Sequence, residues 1–238
     1  MLKRLLVSAL FAGFATGLIA AALLQVFVTP VLLEAELYET GELVHFGGSG
    51  GTALEHDHDS HEHAEGEGGD RALLSLGAAI STNIGYALIL VAAMAFAERS
   101  GHSISARVGI LWGFAGFVAV QLMPAFGHPP ELPGNAAADL QGRQMWWALT
   151  VLASSLGLAC IAFGKNWAIW AAGIVALALP HLIGAPHPEV LTGPTPPEIA
   201  GLFAGRSLGV GLMVWVTLGC LAGYFWSSED NAWIGSDR

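Results

Sequence analysis

Apolar residues fall into six long runs along the chain, separated by polar or glycine-rich stretches. A helix needs about 20 consecutive apolar residues to cross the hydrocarbon core of a bilayer, and most of these runs are long enough. The pattern therefore predicts an all-α integral membrane protein with about six transmembrane helices in one domain. The predicted spans are 5–28, 72–97, 107–124, 145–163, 167–184 and 199–226.

The first and the two shortest runs need separate interpretation. The first run follows Lys3 and Arg4 and is longer than the apolar part of a cleaved secretory signal, so it indicates a retained signal anchor. The runs at 145–163 and 167–184 are close to the lower limit for spanning, and a re-entrant hairpin is the alternative there.

The distribution of lysine and arginine predicts the orientation. Cytoplasmic loops of membrane proteins carry an excess of these residues. An orientation with both termini inside places most of them on the cytoplasmic side: Lys3, Arg4, Arg99, Arg107, Lys165 and Arg238. The three long connections, at 29–70, 125–144 and 185–198, then face outward.

Glycines spaced four residues apart predict close helix packing. Such spacing lets two backbones approach where lipid supplies no hydrophobic driving force between helices. We therefore expect a glycine-packed bundle. The pairs and triplets are Gly13 and Gly17, Gly109 and Gly113, Gly201, Gly205 and Gly209, and Gly219 and Gly223.

Composition supports a membrane protein and excludes one class of partner. Charged residues make up 12% of the chain, against about 25% in soluble domains. The net charge is −10, and eleven of the nineteen acidic residues lie between Glu34 and Asp70. The expected partner is the lipid bilayer, and nucleic acid is excluded because no basic patch is present to neutralise phosphates.

A histidine-rich acidic tract lies in the predicted outer loop 29–70. Glycine-rich stretches on both sides of it predict a flexible loop. Interleaved imidazoles and carboxylates indicate capture of a divalent transition metal, and the alternative is a solvated acidic loop. Binding should fail below about pH 6, because histidine, with a reference pKa near 6.5, is then protonated. The candidate ligands are His56, His58, His61, His63, Asp57 and Asp59.

Polar residues inside or beside the spans are further candidates, because such groups are costly in a membrane. With the predicted orientation they surround the outward half of the bundle, and we expect a polar vestibule beneath the histidine-rich loop. His181, next to Pro180, and the loop residues His128 and His187 are candidate metal ligands. Each of the three has an alternative as an ordinary interfacial or surface histidine. Arg206 is expected to pair with Glu198 or a lipid headgroup. Arg143 with Trp146 and Trp147 is expected to form an interfacial anchor. The other structural or vestibule candidates are Asn83, Gln121, Glu131, Arg143, Pro180 and Arg206.

The spans carry no machinery for chemistry or for nucleotide hydrolysis. No Asp or Glu lies within any of the six runs, no nucleophile–base pair is evident, and no P-loop motif is present. We therefore expect no enzyme activity and no organic cofactor. Transport would be driven by a gradient or by partner subunits.

Three segments of the chain resemble the family of predicted cobalt transporter subunits named CbtA. They are HPPELPGNAAADLQGRQMWW at 128–147, FGKNW at 163–167 and LPHLIGAPHP at 179–188. The resemblance extends over essentially the whole chain. It implies cobalt uptake for cobalamin synthesis in bacteria, together with a small one-span partner, CbtB. Residues that match the motifs are Pro130, Glu131, Pro133, Gly134, Arg143, Trp147, Pro180, His181 and Gly184. Family members are often described with five spans, whereas the pattern here predicts six.

The residues and the resemblance lead to one leading hypothesis. The chain is expected to be a multi-pass subunit of a permease in the bacterial inner membrane, with Co²⁺ as substrate and Ni²⁺ or Zn²⁺ as alternatives. The second hypothesis is a membrane metal sensor or buffer that does not conduct.

Overall fold

The computed structural model describes residues 1–44, 64–190 and 192–234, and this part of the chain is helical, without strands. Two π-helical segments, Leu24–Val28 and Val118–Leu122, join α1 to α2 and α4 to α5. In chain order the α-helices are α1 (Leu2–Leu23), α2 (Thr29–Glu39), α3 (Ala64–Arg99), α4 (Ala106–Phe117), α5 (Met123–Ala125), α6 (Leu140–Phe163), α7 (Trp167–Ile183) and α8 (Pro197–Ile234).

Five continuous helical stretches in the described residues are long and apolar enough to cross a membrane. They are Leu2–Glu39, Ala72–Arg99, Ala106–Ala125, Leu140–Phe163 and Pro197–Ser228. The remaining predicted span, 167–184, corresponds to α7, which has 17 residues and is shorter than the five stretches above. Helices suit a bilayer because every backbone hydrogen bond is made within the segment. The prediction of an all-helical, multi-span membrane protein is confirmed.

The first helix is longer than the pattern predicts. The predicted outer loop starts at residue 29, but the chain stays helical to Glu39. Proline is tolerated in the first turn of a helix, and Pro30 occupies that position in α2, directly after the π-helical segment. Because α3 begins at Ala64, the connection between the helices is residues 40–63. The candidate ligands at positions 56–59, 61 and 63 lie outside the described residues.

Glycine contacts hold the helices together, as predicted. A Cβ at Gly13 or Gly17 of α1 would clash with the α3 backbone at Ile84 or Ile80. A Cβ at Gly109 of α4 would meet the carbonyl of Gly219 in α8. The predicted triplet differs, because a Cβ there would have no atom within 4 Å. The members of this triplet are Gly201, Gly205 and Gly209.

Polar contacts join three helices at the end of the bundle that contains Met1. The Arg4 guanidinium lies 3.8 Å from the centre of the Trp226 ring and donates two hydrogen bonds to the carbonyl of Trp226, at 2.7 and 3.0 Å. The Trp226 indole donates to the Glu98 carboxylate at 3.0 Å, and that carboxylate lies 3.6 Å from Arg4. These contacts connect the start of α1 to the ends of α3 and α8.

A small apolar cluster forms at the opposite end. Val31 and Ala35 of α2 pack with Leu132, from the connection between α5 and α6, and with Ile199 of α8. The turn at Gly134 has a φ of 78°, which favours glycine. The cluster extends α2 beyond the predicted end of the first span and positions the connection that carries the candidate site.

The glycine packing predicts opposite changes in stability for two glycine-to-alanine substitutions in α8. In Gly219→Ala the added methyl group meets the α4 backbone, and we expect a loss of about 1–3 kcal/mol, as for an overpacked core. In Gly209→Ala it meets open space, and alanine is the better helix former by about 1 kcal/mol. Thermal unfolding of the purified variants in detergent should give a lower Tm for Gly219→Ala only. Equal Tm values would contradict the packing described.

Candidate metal site

The turn after α5 brings His128 to the face of α6. The N–H groups of Gly127 and His128 donate to the carbonyl of Pro124, at 3.1 and 2.8 Å. The imidazole of His128 then packs at right angles to the indole of Trp146, with ring centres 5.1 Å apart and an interplanar angle of 88°. Gly127 permits this approach because a Cβ there would clash with the same indole.

The end of α7 brings a second imidazole to the same indole. The His181 ring centre lies 5.9 Å from that of Trp146 and 5.9 Å from that of Phe126. The Trp146 indole N–H donates to the carbonyl of Pro180 at 3.2 Å, and Trp146 is only 7% exposed. Trp146 is therefore a buried residue that contacts the rings of both His128 and His181.

Both imidazoles have a buried nitrogen without a partner. Nε2 of His128 and Nε2 of His181 are inaccessible to solvent and make no hydrogen bond. Leaving a buried polar atom unpaired costs about 1–3 kcal/mol. Neutral imidazole nitrogen is also a common ligand of transition metals. Each of these two nitrogens therefore has the chemistry to serve as a ligand of a divalent metal ion.

A cavity of about 580 Å³ adjoins these residues. His181, Trp146 and the exposed His187 contribute to its wall, and the rest of the wall is mainly apolar. The remaining lining residues are Met123, Phe126, Gly127, Ile174, Leu177, Ala178, Gly184 and Ala185. The cavity lies at the end of the bundle where the long connections 125–144 and 185–198 emerge.

The ion pair between Arg143 and Glu131 affects the charge of His128. Arg143, one turn before Trp146 on α6, lies 2.8 Å from the carboxylate of Glu131. Burial is the main cause that lowers the pKa of His128 below its usual 6.5, and Arg143 and His187 lower it further, whereas Glu131 raises it. The imidazole therefore stays neutral, and able to bind metal, at a more acidic pH than an ordinary histidine.

The remaining vestibule candidates, Gln121, Arg206 and Asn83, lie in different surroundings in the structure. Gln121, in the second π-helical segment, packs on Gly211 of α8, and its buried Oε1 has no partner. Arg206 donates to the carbonyl of Phe27 at 3.2 Å, instead of pairing with Glu198. Phe27 lies in the first π-helical segment, three residues before Pro30.

Asn83 lies away from the end of the bundle that contains the cavity. Its backbone lies against Gly13, and its side chain donates to the carbonyl of Ala79 at 2.9 Å. Along the first helix, Gly13 is roughly 21 Å from Phe27 at 1.5 Å per residue. The expectation that Asn83 faces the vestibule is therefore corrected, because its side chain is buried in the packing of α3 on α1.

The histidines do not form a complete metal site by themselves. Among the residues that the structure describes, no three His, Cys, Asp or Glu side chains lie close enough together to hold a metal ion. His128 and His181 each offer one unpartnered nitrogen, so water or further side chains would have to complete the coordination of an ion. Such incomplete coordination suits a site that has to release its ion.

Trp146 is the residue whose place the sequence interpretation missed. The pattern RQMWW indicates an interfacial anchor made of Arg143, Trp146 and Trp147, but Trp147 alone is substantially exposed, at 42%. Helical spacing distinguishes the two tryptophans. Trp146, Thr150, Ser154 and Gly157 recur at intervals of three or four residues and form the buried face of α6.

Comparison with known families identifies a relative of nearly the whole chain. The family described as "Probable cobalt transporter subunit (CbtA)" matches residues 2–227. No curated protein and no solved structure matches the chain.

The ion pair between Arg143 and Glu131 leads to a prediction for the pKa of His128. In Glu131→Gln the charge that raises the pKa of His128 is lost, so the pKa should fall further below 6.5. In Arg143→Gln a charge that lowers it is lost, so the pKa should rise. NMR titration of histidine-labelled protein without metal measures both shifts.

Arg107→Gln is the control for that titration, because it removes an exposed positive charge at the opposite end of the bundle. It should leave the His128 midpoint unchanged. Shifts in the same direction for Glu131→Gln and Arg143→Gln would show that their charges do not act on His128 as described.

Proposed function

This chain belongs to the family of probable cobalt transporter subunits (CbtA), and on that basis we propose that it is the membrane subunit of a permease that takes up Co²⁺. The family is a class of transporter subunits and not a class of enzyme. In the proposal, the ion enters through the vestibule that contains His128, His181 and His187. The permease lies in the bacterial inner membrane, and the cobalt serves cobalamin synthesis.

The observation that supports this proposal best is the pair of buried, unpartnered Nε2 atoms on His128 and His181. A protein that uses these residues only for packing gains nothing from leaving two nitrogens unsatisfied. The adjoining cavity lies at one end of the membrane-spanning helices, where an ion would enter or leave. Imidazole suits cobalt, nickel and zinc alike, so the ligands themselves do not select the metal.

The histidine-rich tract at 55–67 is proposed to capture the ion before it reaches the vestibule. The tract follows α2, and α2 packs on the connection that carries His128 and Glu131. With both termini inside, the tract and the vestibule are on the outer side. Mixed imidazole and carboxylate ligands release ions readily, as a capture loop must.

A partner subunit is expected from the word subunit in the family description. We propose a small one-span protein of the CbtB type. The carboxylates of the described spans lie near the span ends, at Glu34, Glu36, Glu39, Glu98 and Glu198, and none lies midway along a span. The proposed driving force is therefore the ion gradient or partner subunits, and not protons carried by carboxylates within the membrane.

The second candidate function is a membrane metal sensor or buffer. The absence of a three-ligand site in the described residues favours it, because a buffer could hold metal with the histidine-rich tract alone. The two candidates differ in whether His181 matters for accumulation of metal in cells.

Cellular metal content tests the permease. Cells expressing the chain with its one-span partner are offered trace Co²⁺, Ni²⁺ and Zn²⁺ together, and elemental mass spectrometry measures each metal. We expect a selective gain of cobalt that falls at least tenfold in His181→Ala and His128→Ala, because losing a ligand or its supporting contact typically costs 10–100-fold in metal affinity.

His102→Ala is the matched control, because that imidazole is exposed, lies at the opposite end and packs on Phe163. It should accumulate cobalt normally. If His181→Ala also accumulates cobalt normally, while serine at positions 56, 58, 61 and 63 abolishes the effect of the protein on cellular metal, the sensor or buffer is correct.

A further inference from the structure

The two candidate ligand atoms are closed to any incoming ion in this conformation. Nε2 of His128 and Nε2 of His181 are both inaccessible to solvent. A transition metal ion bound to imidazole lies about 2.0–2.1 Å from the nitrogen. An ion therefore cannot reach either atom until a neighbouring group moves.

Trp146 is the group that contacts both imidazoles. Its ring centre lies 5.1 Å from that of His128 and 5.9 Å from that of His181. Phe126 also contacts His181, but its side chain is 73% exposed, whereas Trp146 is 7% exposed. Trp146 is thus a buried residue whose ring contacts both imidazoles, whereas the contact of Phe126 with His181 comes from an exposed side chain.

One hydrogen bond fixes the indole in this position. The Trp146 N–H donates to the carbonyl of Pro180, the residue that precedes His181. That carbonyl also accepts the Gly184 N–H at 3.0 Å, so it keeps a partner when the indole leaves. A neutral hydrogen bond contributes little net free energy when water takes the place of the partner. In the proposal, the indole N–H exchanges the Pro180 carbonyl for water at the side of the cavity where the exposed His187 lies.

The cavity provides the space for movement. Trp146 forms part of the wall of the 580 Å³ cavity, next to His181 and His187. Much of the wall consists of apolar side chains, such as Ile174 and Leu177, against which an indole can pack. The indole can therefore turn away from the imidazoles without entering the packed core.

We propose that Trp146 is a positioning residue that closes the two-histidine site. Its indole covers the Nε2 atoms of His128 and His181, and binding of a divalent metal ion requires the indole to turn into the cavity and release the Pro180 carbonyl. This inference rests on the proposed function, in that the two histidines bind the transported ion.

Zinc affinity gives the first test. Zn²⁺ is titrated calorimetrically into full-length protein in nanodiscs, with serine at positions 56, 58, 61 and 63. Trp146→Phe keeps a ring but loses the hydrogen bond to Pro180, so the closed state weakens and the affinity should rise about fivefold, the usual contribution of one hydrogen bond.

Trp170→Phe is the matched control, because its indole N–H also donates to a backbone carbonyl, that of Gly164 at 3.0 Å, at the opposite end of the bundle. It should leave zinc affinity unchanged. If Trp146 only holds the histidines in place, Trp146→Phe weakens binding instead, and that result overturns the proposal.

Fluorine NMR gives the second test. Protein labelled with 5-fluorotryptophan is titrated with Zn²⁺, which is diamagnetic, and the Trp146 resonance is assigned by its absence from Trp146→Phe. The resonance should shift on zinc binding in the parent and not in His181→Ala, while that of Trp170 stays in place.

The outcomes separate the two proposals. Zinc that binds with a dependence on His128 and His181 but leaves the Trp146 resonance unchanged overturns the gating role alone. Zinc binding that does not depend on these histidines overturns the proposed function as well.

Discussion

Prolines near one end of three membrane helices are the constraint on which the arrangement of that end depends. A proline lacks the N–H that a helix needs and disturbs the carbonyls before it, and buried carbonyls must find other donors. Pro30 and Pro124 each follow a π-helical segment, and Pro180 lies in the last turn of α7. Two side chains bond to carbonyls close to these prolines: Arg206 to Phe27, and Trp146 to Pro180, whose carbonyl also accepts the Gly184 N–H. The hydrogen bond to Pro180 holds the Trp146 indole beside both imidazoles.

In the rest of the bundle the helices pack closely against one another through glycine. Glycines in α1 and α4 let α3 and α8 approach to backbone contact, and the main apolar core lies among these four helices. α6 and α7 form a hairpin that packs through Gly157 and Gly173. The candidate site lies where this hairpin meets α5 and the turn after it.

The fold was predictable from the sequence to a larger extent than the site. Long apolar runs and glycine spacing predict the helices and their contacts, because lipid leaves few alternatives. The extension of the first helix through Val31 to Glu39 was not predictable, since it depends on packing against Leu132, distant in sequence. His128 and His181 could be selected as candidates by type and position. Their common contact with Trp146 could not, because side-chain orientation at the helix ends depends on tertiary structure. Asn83 shows the same limit, since its depth in the membrane does not reveal which helix it faces.

X-ray absorption spectroscopy at the cobalt edge tests the central claim most directly. The sample is protein in nanodiscs with serine at positions 56, 58, 61 and 63, loaded with one equivalent of Co²⁺. The account predicts scattering from two imidazoles around the bound cobalt, with one remaining in His128→Ala and one in His181→Ala. A shell made only of oxygen ligands, or one that neither substitution changes, would contradict it.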